Sequence, residues 1–281
     1  MSIFDQKVIK YEMKPLSSLE KVFPDETPVY RMECQMLSGL WGETVSFQVA
    51  YTGDFVMRER LDVRVVSELA EHVHVRTVEM VPVGRATNGI VDDNYLKTTS
   101  GLYPDLLKDL KDGKVIVYSR QWRSLWVDVD ITNEIPAGEY EIELQLIKEG
   151  EVVCSAKQKV TVIGTELPKL DIMHTEWMHA DCLADYYHVE VFSEEHWKLL
   201  ENYFQEYVKR DCNMMLTPLF TSPLDTAIGL ERTTCQLIDV EVKDGEYVFG
   251  FEKLKRWIDL CKKCGIEYFE MSHLFSQWGA K

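Results

Sequence analysis

The feature that most constrains this chain is a change of hydrophobic period near Gly164–Lys169. Before it, apolar residues recur every second position. From Leu125, the series Leu125, Val127, Val129 and Ile131 alternates with Trp126, Asp128 and Asp130. From Tyr140, the residues Tyr140, Ile142, Leu144 and Leu146 alternate with Glu141, Glu143 and Gln145. Such alternation puts one strand face on a core and the other in water. TVSFQVAY (44–51), LDVRVVS (61–67), HVHVRTVEMV (72–81) and VVCSAKQKVTVI (152–163) add further strands, and Pro136-Ala137-Gly138 and Lys148–Glu151 supply turns between them. Many short strands with turn signals and few helical patterns predict an antiparallel β-sandwich over residues 1–165. The stretch from Pro82 to about Lys114 shows no clear period and reads as one long irregular loop.

After the change the chain alternates strand and helix. LDIMHTEW (170–177) reads as a strand, followed by a loop to Phe192. A helix is expected from Ser193, an N-cap with Glu194 and Glu195 in the first turn. Its apolar face carries Trp197, Leu200, Phe204, Tyr207 and Val208. MMLTPLF (214–220) reads as a second strand. Segments 234–242 and 246–251 read as a hairpin turning at Asp244-Gly245. A helix over 252–264, stopped by Gly265, leads into a third strand, IEYFEM (266–271). This is the βαβ pattern of a parallel sheet. The predicted fold class is multidomain, β plus α/β: an N-terminal antiparallel β-sandwich, then the first three strands of an incomplete (β/α)8 barrel over 166–281. A closed barrel takes about 250 residues, so the expectation is a truncated barrel whose remainder belongs to a missing C-terminal part.

Composition narrows the function. The formal net charge of −16 over 281 residues opposes phosphate backbones and anionic lipid surfaces, so neither nucleic acid nor membrane is expected as a partner. No apolar run of about 18 residues is present, the N-terminus lacks a signal-peptide pattern, and seven scattered cysteines do not form a disulfide framework. These features predict a reduced, cytoplasmic protein.

The segments GETVSFQVAY (42–51), GLYPDLL (101–107), HTEWMHADCLADYY (174–187), NMMLTPLFTSPLDT (213–226), GLERTTCQLIDV (229–240) and GIEYFEMSHLFSQWGAK (265–281) resemble bacterial proteins related to glycoside hydrolase family 123. The resemblance implies a β-sandwich before a catalytic barrel. It also implies retaining hydrolysis of N-acetylhexosamine glycosides, of the N-acetylgalactosamine type, assisted by the substrate's own acetamido group. In that family an adjacent Asp-Glu pair orients the acetamido group and supplies the acid. The one adjacent Asp-Glu pair here is Asp25-Glu26, in the expected sandwich, so no catalytic residue is assigned in this chain and the chain alone is expected to be inactive.

Barrel sites lie at the C-terminal ends of the strands. Those ends offer Trp177, His179 and Asp181, then Thr217 and Asp225 with Arg232 in the following loop, then Glu270 and His273. Carboxylates and histidines can bond sugar hydroxyls, and an indole can lie against the C–H face of a ring. These eight are the candidate substrate-binding residues, with a carbohydrate as the partner. Asp225 and Arg232 could equally serve to hold a loop together. Asp181 and Glu270 form an alternative pair of catalytic carboxylates. Glu176-x-x-His179 lacks the helix and second copy of a di-iron site. Cys261-x-x-Cys264 lacks a second pair for zinc and sits at a helix end. No metal and no cofactor is expected. The alternative function is a non-catalytic carbohydrate-binding or scaffold protein with a decayed barrel.

Overall fold

A computed structural model describes residues 10–29, 36–55, 58–87, 89, 91, 94–169, 171–220 and 229–272. The chain divides into two units, Met1–Pro168 and Lys169–Lys281.

Among its described residues the first unit holds ten strands: β1 (Lys10–Ser17), β2 (Met36–Trp41), β3 (Thr44–Asp54), β4 (Glu59–Val66), β5 (Val73–Val83), β6 (Gly101–Asp109), β7 (Lys114–Val117), β8 (Arg123–Asp130), β9 (Gly138–Lys148) and β10 (Glu151–Glu166). They form two five-stranded sheets, ordered β1-β3-β8-β5-β6 and β2-β10-β9-β4-β7. All pairs are antiparallel except β2 with β10. The alternating residues behave as their period requires. Leu125, Val127 and Val129 from one sheet and Ile142, Leu144 and Leu146 from the other are fully buried and share one core with Phe47, Leu61 and Val160. The outward residues of β8 are satisfied laterally, since Asp128 accepts from Ser46 Oγ at 2.6 Å and from Trp126 Nε1 at 2.7 Å. Gln48, buried among apolar neighbours, donates to the carbonyls of Ser17, Ser18 and Glu20 and accepts from Ser124 Oγ at 2.9 Å. A buried amide needs such partners, and here they clamp the chain where it leaves β1.

The stretch from Pro82 to Lys114 is not one irregular loop. It contains β6, which pairs with β5 from Arg76↔Asp109 to Val83↔Gly101. Its period is hidden because β6 is an edge strand exposed on both faces along most of its length, and a register shift at Glu79/Met80 breaks the alternation. Pro104 lies within it, which a strand at the sheet edge tolerates.

The second unit contains α1 (Ala180–Tyr187), α2 (Glu194–Val208), β11 (Met214–Thr217), a hairpin of β12 (Asp239–Lys243) and β13 (Glu246–Gly250), α3 (Glu252–Cys264) and β14 (Tyr268–Met271). Ser193 caps α2 by accepting from the His196 amide at 3.2 Å. Asp244 and Gly245 both take positive φ, 54° and 88°, as a type I′ turn requires. Gly265, at φ 104°, ends α3 in the left-handed conformation. Strands β11 and β14 are parallel and in register from Met214↔Tyr268 to Thr217↔Met271. The core around them joins Trp197, Leu200 and Phe204 of α2 to Trp257 and Cys261 of α3 and to Met215 and Ile266. Trp257 meets the edge of Phe204 at 5.0 Å and of Trp197 at 6.4 Å. Arg256 stacks over Trp197 and holds Glu194 with two hydrogen bonds of 2.6 and 2.8 Å, fastening α3 to the start of α2.

Two expectations fail in this unit. The segment read as a first barrel strand is not a ladder strand over its described residues 171–177, so the described parallel sheet has two strands rather than three. A side-chain bridge and two backbone bonds to one carbonyl stand in place of the ladder. Asn213 accepts from the His174 amide at 2.8 Å and donates to the Ile172 carbonyl at 2.8 Å, while the amides of Asn213 and Met214 both donate to His174 O. The loop expected between residues 178 and 192 contains α1, whose two short turns bury Ala180, Asp181, Leu183 and Ala184.

Candidate functional site

Because β11 and β14 run in parallel, their C-terminal ends meet at one edge of the second unit. The Ser272 amide donates to Thr217 O at 3.0 Å, and Ser272 Oγ donates to Phe220 O at 3.2 Å. These bonds join the ends of the two strands. Thr217 is fully buried and its hydroxyl donates to Met215 O at 3.1 Å. It is committed to the backbone and positions the strand end rather than presenting a free group.

Trp177 reaches this edge from the segment before α1. Its Nε1 donates to Glu270 Oε2 at 2.9 Å. The indole remains 48% exposed, so it combines an open aromatic face with a tethered carboxylate. The segment that carries it hangs on Tyr207 of α2. Tyr207 Oη accepts from the Glu176 amide at 2.8 Å and donates to Met214 O at 2.6 Å. Burial pushes the Tyr207 phenol upward, keeping it a neutral donor. Sequence reasoning placed Tyr207 on the apolar face of its helix but gave no sign that its hydroxyl would join this segment to β11.

A second cluster forms at the start of α1. Asp181 and Arg232 are buried together, with side-chain exposures of 7% and 10%. Arg232 donates Nη2 to Asp181 Oδ1 at 3.1 Å and Nε to Asp181 Oδ2, a two-point clamp. Its Nη2 also lies 3.5 Å from Cys182 Sγ. One residue on, Thr233 Oγ1 donates to the carboxylate of Asp185 at 2.8 Å. The 229–235 segment is thereby stitched to α1. Burial pushes the nearby Cys235 thiol up to about 12, and the Asp181 carboxylate adds in the same direction. His179 precedes α1 and lines a small internal gap with Asp181, Pro218 and Cys235. His196 was absent from the candidates, yet it is fully buried. Its Nδ1 accepts from the Phe192 amide at 2.9 Å and its Nε2 donates to Ala180 O at 2.9 Å. Burial lowers its pKa, so it is a neutral strut between α2 and α1.

The structure thus joins Trp177 with Glu270 and Asp181 with Arg232, and buries Thr217 beneath the strand ends. Asp225 and His273 lie outside the described residues. Among the described residues no group of three or more His, Cys, Asp or Glu side chains is placed to hold a metal ion, and no helix is long and apolar enough to cross a membrane. Cys261 and Cys264 are free, and burial raises both thiols, the opposite of an activated pair.

Residues 177–281 match the family model described as glycoside hydrolase 123, catalytic domain. Among solved structures, the chain is similar to a family 123 glycoside hydrolase from Clostridium perfringens. The TM-score is 0.67 at 14% identity, covering 92% of this chain and 46% of that one. The chain therefore spans about half the length of that structure, and the likeness is one of fold. A β-glucosidase from Listeria innocua in complex with isofagomine aligns at a TM-score of 0.26 and 10% identity, over 57% of this chain and 17% of that one. No curated protein matches the chain. Residues 177–281 thus resemble the catalytic domain of glycoside hydrolase 123, and the chain shares the fold of a family 123 glycoside hydrolase along most of its length.

Proposed function

We propose that the chain is the N-terminal portion of a glycoside hydrolase, acting in the intact protein on N-acetylhexosamine glycosides of the N-acetylgalactosamine type, with retention and with help from the substrate's acetamido group. The match of residues 177–281 to a glycoside hydrolase catalytic domain carries this reading. The solved relative is described as hydrolysing glycolipid glycans, which is consistent with an acetamido sugar. In this proposal the first unit is a β-sandwich and the second opens a (β/α)8 barrel. Two sheets sharing one core support the former. The parallel pair β11 and β14, joined through α3, supports the latter.

The roles follow from the chemistry of each group. Trp177 offers its ring face to the C–H side of a sugar, and Glu270, oriented by the indole N–H, accepts hydrogen bonds from sugar hydroxyls. His179 lies beside them in sequence as a further donor or acceptor. Asp181 shapes the wall and is not assigned as the acid, because both of its carboxylate oxygens are taken up by the Arg232 guanidinium. The orienting Asp and acidic Glu that the resemblance implies are not matched in these 281 residues.

The test is binding and turnover together. The chain is expected to bind N-acetylgalactosamine better than galactose and to leave an aryl N-acetylgalactosaminide intact. Trp177→Ala is expected to weaken binding about tenfold, from the loss of one aromatic contact. Turnover by this chain that disappears in Glu270→Gln or Asp181→Asn would overturn the placement of the acid. Equal affinity for galactose would overturn the acetamido reading.

A further inference from the structure

A sizeable cavity lies away from the ends of β11 and β14. It lies in the first unit, has a volume of about 630 Å³, and is bordered by β4, β5, β6 and β7. That volume is within the range of roughly 300–1,000 Å³ typical of small-molecule sites. Its charge is opposite to that of the chain. Six cationic and three acidic side chains line it, in a protein of net charge −16.

Two of the three acidic side chains already face cations. Glu59 takes Lys148 Nζ at 2.9 Å and the Tyr11 hydroxyl. Asp109 lies 3.6 Å from Arg76 Nε, while Glu79 accepts only from the neutral Thr77 Oγ1 at 2.8 Å and keeps its charge. Two cations are likewise paired, Arg60 with Asp112 at 2.9 Å and Lys114 with Asp62 at 3.3 Å. The other four, Arg58, Lys108, Lys111 and Arg123, have no carboxylate partner among the described residues. Arg123 stacks over Tyr118 at 5.1 Å and gives Nη2 to Gln121 Oε1 at 3.1 Å. Its Nε is buried with no acceptor. A buried guanidinium N–H without an acceptor is uncommon, and it lies in the wall of a cavity where four unpaired cations outweigh Glu79. The ring that holds the guanidinium flat is Tyr118, and the buried Tyr51 closes the wall nearby.

We propose that this cavity binds an anionic sugar, one bearing a carboxylate or a sulfate ester. Arg123 provides the planar donor for the anionic group, Lys108 and Lys111 add charge at the mouth, and Thr77 and Tyr118 stand beside the sugar body. The demand for an anion comes from the cavity alone. The sugar body rests on the glycoside hydrolase reading above.

Calorimetric titration of the 281-residue chain with glucuronate, galactose 6-sulfate, galactose and inorganic sulfate tests the proposal. Both acidic sugars are expected to bind at least about tenfold more tightly than galactose, the return on one charge-assisted hydrogen bond. Lys108→Ala and Lys111→Ala, at exposed positions, should each weaken that binding up to about fivefold, and Arg123→Gln should weaken it at least tenfold. Lys243→Ala, on the exposed hairpin of the second unit, should leave it unchanged. Equal affinity for galactose and the acidic sugars, or indifference to both lysine substitutions, overturns the site while leaving the hydrolase reading intact. Inorganic sulfate binding as tightly as the sulfated sugar overturns the sugar assignment and leaves only an anion site.

Discussion

Removing Asp181 should uncover how much of the second unit depends on one buried charge pair. Asp181 and Arg232 are almost wholly withdrawn from water and share a two-point contact. In Asp181→Ala the guanidinium stays buried, facing a hole where a carboxylate stood. Breaking a buried pair by deleting one partner costs about 3–5 kcal/mol. That is a large fraction of the roughly 5–15 kcal/mol that stabilises an ordinary domain. The loss should concentrate where the pair acts, on α1 and on the 229–235 segment. Hydrogen exchange read by mass spectrometry resolves this. Peptides covering 180–187 and 229–237 should lose about 3 kcal/mol or more of opening free energy, while peptides of β8 and β9 in the first unit keep theirs. The double variant Asp181→Asn with Arg232→Met removes both charges and should recover about 1–3 kcal/mol of that loss, the usual coupling of contacting residues. Additive effects, or a single-variant loss under about 1 kcal/mol, would show that water reaches the pair and that the clamp is not structural.

Tyr207→Phe leaves the Glu176 amide and the Met214 carbonyl without their partner and should cost about 1–3 kcal/mol. Exchange should quicken at 174–177, and an unchanged rate there would refute the role of the hydroxyl. Gly265→Ala forces a side chain into the left-handed region at φ 104°, while its new Cβ meets Val208 Cγ1 at an ordinary contact distance of 3.4 Å. About 1–2 kcal/mol should be lost, visible as a lower melting temperature. His196 is held neutral by burial, so its folded pKa lies below its unfolded one. The unfolded chain then binds more protons as pH falls through the ordinary histidine range, and stability should fall with it. Urea midpoints for the second unit should be lower at pH 5.5 than at pH 7.5, with the difference reduced in His196→Gln; a flat pH response of the wild type would contradict the assignment.

What the sequence determined by itself was whatever local periodicity and turn chemistry encode. Leu125-Val127-Val129 and Ile142-Leu144-Leu146 had to turn one face inward, because a strand repeats every two residues. Ser193, Asp244-Gly245 and Gly265 announced a cap, a hairpin turn and a helix stop, since each meets a backbone requirement that few residue types satisfy. The resemblance to family 123 was legible too, in segments such as HTEWMHADCLADYY. Tertiary structure decided the rest, because it depended on residues distant in sequence. β6 became an edge strand by pairing with β5, despite Pro104 and a broken alternation. Residues 171–177 resembled a strand by composition, but Asn213 and Tyr207 took over their backbone hydrogen bonds, and no pattern within the segment records that. Among the candidate residues, types at strand ends could be named from sequence, while partnerships could not. Arg232 lies 51 residues from Asp181 and Glu270 lies 93 from Trp177. Only the folded chain shows that the first pair is locked into the core while the second keeps an exposed aromatic face, since charge pairing and burial are properties of neighbours in space.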